Sequence, residues 1–199
     1  MKFIIKLFFL LLLFSCQNTP KNNKKQIEPY KEVILPYTSQ KLKPFYSVDS
    51  LTGGVELTIK DIKPITFTKE ELLQNVKNSE GINKGNAYYP LIYFYIDSII
   101  YKGIIYNGYS DNDINAFVFQ LTSYDNKGKI IDAILLDSRF IFEVYYWNDF
   151  TIRSDGYIDL IKYSHQLYDF SEENYNVKKN IESKKNIYKM NKGKFEKVE

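Results

Sequence analysis

Residues 115–137 read NAFVFQLTSYDNKGKIIDAILLD, and they predict an antiparallel β-hairpin. Phe117, Phe119 and Leu121 occupy alternate positions, which is typical of a strand with one buried face. The turn sequence Asp125-Asn-Lys-Gly128 favours a type I turn closed by a glycine in the left-handed region. We therefore expect residues 115–124 to pair antiparallel with residues 129–137.

Similar turn signals on both sides of this hairpin predict further strands. Asn107-Gly108 favours a two-residue type I′ turn. Asp155-Gly156 predicts a hairpin of 150–153 with 157–163, and the turn at 191–193 predicts one of 187–190 with 195–198. Many short strands joined by tight turns indicate a mainly β (α+β) fold, an antiparallel meander that forms a curved sheet or a sandwich.

One helix is predicted in the chain, and it begins after Thr68. Thr68-Lys-Glu-Glu71 has the spacing of a capping box, in which the Thr68 and Glu71 side chains bond each other's backbone amides. Leu72, Leu73 and Val76 then form one apolar stripe, so we expect an amphipathic helix near 69–79 that covers the sheet. The polar residues 171–185 predict a loop or a short helix.

The first sixteen residues, MKFIIKLFFLLLLFSC, have the pattern of an export signal. Two lysines precede an apolar run over residues 7–14, and small Ser15 precedes Cys16. A permanent membrane helix needs about 20 apolar residues, so this run is too short to remain as a span. Removal of residues 1–15 as a signal peptide is the better interpretation.

Leu13-Phe14-Ser15-Cys16 resembles the lipobox of bacterial lipoproteins. The resemblance implies that Cys16 is acylated on sulfur, as by palmitate, and that the chain is cut before it. Gln17, a residue other than Asp, implies the outer membrane, and the uncharged residues 17–20 imply its periplasmic side. The DNKGK turn (125–129) and the closing YKMNKGKF (188–195) also resemble small uncharacterised lipoproteins of the Bacteroidetes type, which implies no activity.

Charge separates an anchor-proximal segment from the rest of the chain. Residues 16–43 hold six lysines and two glutamates, and we interpret them as a flexible basic tether. Residues 44–199 are slightly acidic and form a single predicted β-rich domain. The chain has two arginines against 25 lysines, and with an acidic domain this argues against nucleic acid as a partner.

No motif for catalysis, metal or cofactor binding stands out. His165 is the only histidine, and no nucleophile elbow precedes any serine. Asp111-Asn-Asp113 begins like a calcium loop, but Ala116 and Thr122 replace the required glycine and glutamate. Zinc would need more Cys or His, and nucleotide-binding glycine motifs are missing. We therefore predict no metal, no cofactor and no enzymatic activity.

Paired carboxylates leave one enzymatic alternative open. Asp132 and Asp137 flank an apolar strand, and Glu143 and Asp149 bracket a run of aromatic residues. Glycosidases use two carboxylates about 5–10 Å apart across a cleft. A carboxylate-based glycan hydrolase is therefore the alternative to a non-enzymatic function.

An aromatic cluster near the only tryptophan is the candidate binding patch. Tyr145, Tyr146 and Trp147 lie close to Arg139, and these residue types anchor interfaces; the alternative for the aromatic residues is core packing. The sequence predicts a lipid-anchored envelope protein that acts as a non-enzymatic binding or accessory module toward a protein or glycan. A purely structural envelope protein is a further alternative.

Overall fold

A computed structural model describes residues 29–49, 54–79, 81–110, 114–141, 143–166 and 181–199. Thirteen strands, one 3₁₀-helix and one α-helix lie in this part of the chain. The strands are β1 (Lys31–Glu32), β2 (Tyr37–Thr38), β3 (Tyr46–Val48), β4 (Val55–Leu57), β5 (Ile65–Thr66), β6 (Ile82–Ile96), β7 (Ile99–Ser110), β8 (Asn115–Tyr124), β9 (Ile130–Ile141), β10 (Val144–Ile152), β11 (Tyr157–Gln166), β12 (Ile181–Asn191) and β13 (Lys194–Lys197). The 3₁₀-helix η1 is Ser39–Phe45, and α1 is Lys69–Leu73.

The architecture is a mainly β fold built on an antiparallel meander, as predicted. Strands β6 to β13 follow one another in chain order across a curved sheet of eleven strands, and each pairs antiparallel with the next. Strand β1 adds in parallel to β6, β5 pairs with β6, and β2 pairs with β10. Strands β3 and β4 form a separate two-stranded sheet.

The central hairpin is confirmed. Strands β8 and β9 pair antiparallel, with Thr122 opposite Ala133. In the turn the Asp125 carboxylate accepts hydrogen bonds from the amides of Lys127 and Lys129, and Gly128 adopts φ +81°. An L side chain rarely adopts that conformation, which explains the glycine. The hairpins at 152–158 and 191–194 are confirmed in the same way.

The predicted turn at Asn107-Gly108 is wrong, because both residues lie inside β7. The chain reverses earlier, between β6 and β7, where Asp97 adopts φ +53°. Gly108 is instead needed for close packing, since a Cβ there would lie 2.8 Å from methyl carbons of Ile82 and Val118. The Asn-Gly sequence therefore suggested a turn, although the glycine is required because the sheet has no room for a side chain at this position.

The predicted helix begins as expected but ends early, at Leu73. The capping box forms: the Thr68 hydroxyl accepts from the Glu71 amide, and the Thr68 amide donates to the Glu71 carboxylate. Leu73 is 77% exposed, so the helix buries no apolar stripe. Lys77 forms backbone hydrogen bonds with Ala133 and Leu135 in β9, which draws the chain out of the helix.

Two predicted segment boundaries also change. Part of the predicted tether, from Tyr30 onward, belongs to the folded domain, because Tyr30, Tyr37 and Leu42 are buried. Residues 181–185 begin strand β12 rather than a loop or short helix. Residues 1–28, with the predicted signal peptide and Cys16, lie outside the described residues, as do residues 167–180.

The core lies on both faces of the sheet around β8. Phe117, Phe119 and Leu121 belong to one apolar cluster, whereas Ala116 and Val118 belong to the other. The prediction that β8 has one buried face is therefore wrong: side chains on both faces are buried, including the polar Gln120, Thr122 and Ser123. Within the described ranges, no helix is long and apolar enough to span a membrane.

Candidate functional site

The four residues predicted as a binding patch occupy three different environments. Arg139 is buried in β9. Tyr145 and Trp147 are half-buried and stack on each other, with ring centroids 4.7 Å apart. Tyr146, which points the other way from β10, is 39% exposed. Only Tyr146 lies in a concave surface, so the four residues do not form one patch.

Arg139 makes structural hydrogen bonds at the point where β10 separates from β9. Backbone pairing between these strands is limited to two positions, Tyr145 with Ile141 and Tyr146 with Phe140. Beyond them, the Arg139 guanidinium donates to the Asn148 carbonyl over 3.1 Å. The neighbouring carboxylate of Asp137 accepts from the Asn148 amide over 3.1 Å. Side chains thus satisfy the backbone groups that the sheet leaves unpaired.

Arg139 and Asp137 also bond each other and carry shifted pKa values. The Nε of Arg139 donates to Oδ2 of Asp137 over 2.8 Å. Burial raises the pKa of Asp137 to about 7, although Arg139 opposes the shift. Burial lowers the pKa of Arg139, but the attraction of Asp137 outweighs it and holds that pKa above its ordinary value. Because Arg139 is buried in this ion pair, it cannot act as a surface anchor.

The aromatic stack extends across β10 and β11. Trp147 lies opposite Tyr163, and their rings are 4.9 Å apart at an interplanar angle of 10°. With Tyr145 on the other side, Trp147 is held between two tyrosine rings. Such stacks add stability beyond apolar burial. The sequence left open whether this cluster lies in the core or at the surface. The structure places it between the two, since all three rings are half-buried.

An open groove of about 640 Å³ lies on the other face of β10, β11 and β12. Two rows of side chains form its floor, each crossing the three strands in register. The first row is Tyr146, Ser164 and Glu182, and the second is Asn148, Lys162 and Lys184. The described residues that complete the groove are Asn78, Gly81, Ser110, Ile114, Ser138, Phe140, Glu143, Val144, Tyr163 and Ser183.

The groove combines aromatic, hydroxyl, amide and charged groups. The Tyr146 ring stacks on Phe140, with centroids 4.9 Å apart and an interplanar angle of 27°, which fixes its orientation. Ser164 and Asn148 lie beside it on the floor and carry hydrogen-bonding groups. A concave site with an aromatic ring and a few polar groups is the usual form of a small-ligand site.

The acids predicted as catalytic pairs are mostly engaged in structural bonds. Asp132 forms an ion pair with Lys77 and accepts from the Phe195 amide over 2.9 Å. Asp137 is fully buried with its arginine. Asp149 accepts from the Ser39 hydroxyl over 3.0 Å. Glu143 alone among the four lines the groove.

The remaining predicted chemical groups do not assemble into a site. His165 lies near the end of β11, opposite Tyr145 and Ile181. No three His, Cys, Asp or Glu residues cluster in a metal-binding arrangement within the part of the chain that the structure describes. Asp111 and Asp113 lie outside the described residues.

Sequence analysis missed most of the groove. Ser164, Lys162, Glu182 and Lys184 carry no recognisable motif, and residues 181–185 were expected to be a loop or a short helix. Residues 182–186 are all polar, so they show no alternation that would have indicated a strand. The grouping itself depends on the register of three strands, which no local pattern encodes.

Comparison with known proteins gives no assignment. No protein-family model matches the chain, and no curated protein or solved structure matches it either.

Proposed function

We propose that the protein is a lipid-anchored, non-enzymatic binding module of the cell envelope, and that its ligand binds in the groove on β10, β11 and β12. The lipobox at residues 13–16 supports the anchor, with the outer membrane facing the periplasm as the expected location. The groove supports binding, since its volume of about 640 Å³ lies within the roughly 300–1,000 Å³ typical of ligand sites.

The exposed ring of Tyr146 is the observation that carries the proposal. Phe140 fixes this ring against one side of the groove, and hydroxyl and amide groups lie next to it on the floor. The C–H face of a sugar ring is apolar and packs on an aromatic plane, while its hydroxyls need hydrogen-bonding partners such as Ser164 and Asn148. A glycan therefore fits this surface better than a flat protein interface does, and an envelope protein is the alternative partner.

The test uses Trp147 as an internal reporter. It is the only tryptophan in the chain, and in β10 it lies between Tyr146 and Asn148, both of which line the groove. The full lipidated protein in detergent micelles is titrated with a panel of tetrasaccharides that includes chitotetraose and tetragalacturonate. We expect at least one tetrasaccharide to change the Trp147 emission saturably.

Tyr146→Ala should weaken that binding at least about tenfold, because it removes a central aromatic contact. The matched control is Tyr95→Ala, since Tyr95 is 38% exposed and lies outside the groove. The control should bind like the parent protein. A panel without any binder, or equal effects of the two variants, would refute the proposal.

A carboxylate-based hydrolase is the second candidate, and one observation favours it: Glu143 and Glu182 line the same groove. Hydrolysis requires two such acids on either side of the scissile bond. Prolonged incubation with each bound tetrasaccharide, followed by mass spectrometry, separates the two functions. Binding without cleavage supports the module, whereas cleavage that Glu143→Gln and Glu182→Gln both abolish supports the hydrolase.

A further inference from the structure

The short helix α1 carries a pair of leucines that the fold leaves uncovered. Leu72 is 45% exposed and Leu73 is 77% exposed, and none of the five residues of α1 is buried. A single exposed leucine needs no explanation. This pair, however, is part of a larger apolar surface, because Leu73 and Ile130 of β9 line one open concavity. The leucines are the last two residues of a helix whose start is fixed by its capping box.

The segment that leads to the proposed lipid enters the fold beside this helix. Tyr30 is buried, and it lines a small cavity together with Glu71 and Gln74 at α1. Cys16 lies fourteen residues earlier in the chain, so acyl chains at Cys16 would hold Tyr30 within about 50 Å of the bilayer. A tether of this length gives an effective concentration of about millimolar, at which even a weak contact between the domain and the membrane forms.

Basic side chains lie beside the apolar surface. Lys69 lines the concavity and is exposed, and Lys127 and Lys129 are exposed in the β8–β9 turn, which leads directly into that part of β9. The acids next to these three lysines are Glu70, which also lines the concavity, and Asp125, whose carboxylate bonds backbone amides of the turn. Lysines around an apolar surface favour contact with a bilayer that has anionic headgroups.

From this placement we infer that α1 is a membrane-docking element, in which Leu72 and Leu73 enter the bilayer interface and the neighbouring lysines contact anionic headgroups. This inference rests on the lipid anchor of the proposed function and adds the orientation of the domain. The concavity contains Ile130, the first residue of β9, whereas the groove contains Phe140 near the other end of that strand. Ten residues of strand span roughly 33 Å, so docking through α1 keeps the groove away from the bilayer surface.

The test measures the membrane depth of a fluorescent NBD label on the full lipidated protein, in vesicles of phosphatidylethanolamine and phosphatidylglycerol. Cys16 is the only cysteine and its sulfur is acylated in the proposed anchor, so Leu73→Cys supplies the single free thiol for the label. Ile181→Cys is the matched control: Ile181 is 55% exposed and lies in one row with Ile141, at the far end of β9 from the concavity. Spin-labelled lipids should quench the label at position 73 at least about threefold more than at position 181, since only an interfacial side chain reaches the acyl chains.

A second measurement removes the leucines and keeps the label nearby. With the label on Asn75→Cys, an exposed position just after α1, the double change Leu72→Ser and Leu73→Ser should reduce the quenching at least about threefold. Ile181→Ser is its control and should leave the quenching unchanged. Trp147 emission of each variant checks that the domain is folded.

Equal quenching at positions 73 and 181, or quenching that survives the loss of both leucines, would overturn the inference. The vesicles contain no other protein, so a helix that served a protein partner instead would also give no quenching. Flotation separates docking from anchoring. A protein that floats with the vesicles without quenching at position 73 keeps its anchor and loses only the docking, whereas a protein that does not float refutes the anchor as well.

Discussion

The Asp137 carboxylate accepts a hydrogen bond from the Arg139 guanidinium over 2.8 Å, at the place where strand β10 separates from β9. The two side chains also bond the amide and carbonyl of Asn148, which have no strand partner on the β9 side. Backbone pairing joins β9 to β10 at only two positions. The ion pair therefore adds a further connection between the two halves of the sheet. Its function is architectural, and it supports the groove that begins on the same strands.

At pH 8, where Asp137 is mostly ionised, replacement of Arg139 by Met should reduce the free energy of unfolding by about 3–5 kcal/mol, because it leaves the buried Asp137 carboxylate without its cation. Urea denaturation followed by Trp147 fluorescence measures the change. Arg153→Met is the matched control, since the other arginine bonds Asp155 at an exposed position and should contribute little. Equal losses in the two variants would contradict the architectural function of the buried pair.

The same pair predicts a pH dependence. Burial raises the pKa of Asp137 to about 7 in the folded protein, whereas in the unfolded chain it lies near 4. Between these values the folded state binds more protons, so this residue's contribution to the free energy of unfolding is lost as the pH rises toward 7. Asp137→Asn, which cannot ionise, should therefore cost more stability at pH 4.5 than at pH 8. A cost that grows with pH would show that the pKa is lowered instead.

Gly108→Ala should destabilise the protein by about 1–3 kcal/mol, because the new methyl group would lie 2.8 Å from side-chain carbons of Ile82 and Val118. Asn107→Ala is the control: the buried side-chain amide oxygen of Asn107 has no hydrogen-bond partner among the described residues, and its removal should cost little. Thermal unfolding of both variants makes the comparison. If the two residues formed a type I′ turn, the asparagine variant would also be clearly destabilised.

Gly108 also shows which parts of the fold the sequence could predict. The turns at Gly128, Gly156 and Gly193 were predictable, because each glycine adopts a positive φ that local sequence favours. Gly108 carries the same turn signal for a different reason, close packing against strands on both sides. The segment after Leu73 leaves the helix because it bonds β9, more than fifty residues away.

Of the candidate site, only Tyr146 and Glu143 were singled out from the sequence. An aromatic run with an arginine nearby indicated a patch, but alternation along β10 sends Tyr146 and Trp147 to opposite faces. The second half of the groove comes from β11 and β12, whose register brings Lys162 and Lys184 together. The register between strands far apart in the chain is set by the whole sheet, so the lysine pair has no local signature.

The proposed anchor predicts a change in partitioning when Cys16 is replaced. Two or three acyl chains hold a protein at a membrane, since each buried CH₂ adds roughly 0.8 kcal/mol of affinity. Expressed in a Gram-negative host, the parent protein should enter the detergent phase of a Triton X-114 extraction, and mass spectrometry should show acylated Cys16 at its N-terminus. Cys16→Ser should remain an uncut precursor without acyl chains.

Gln17→Asp separates lipidation from sorting. By the analogy with Gram-negative lipoproteins, Asp after the acylated cysteine favours retention in the inner membrane, so this variant should keep its lipid and move to inner-membrane fractions on a sucrose gradient. The parent protein should sediment with the outer membrane. A free thiol at Cys16 on a full-length precursor of the parent protein would refute the anchor, whereas an unchanged location of the Gln17 variant would refute only the sorting assignment.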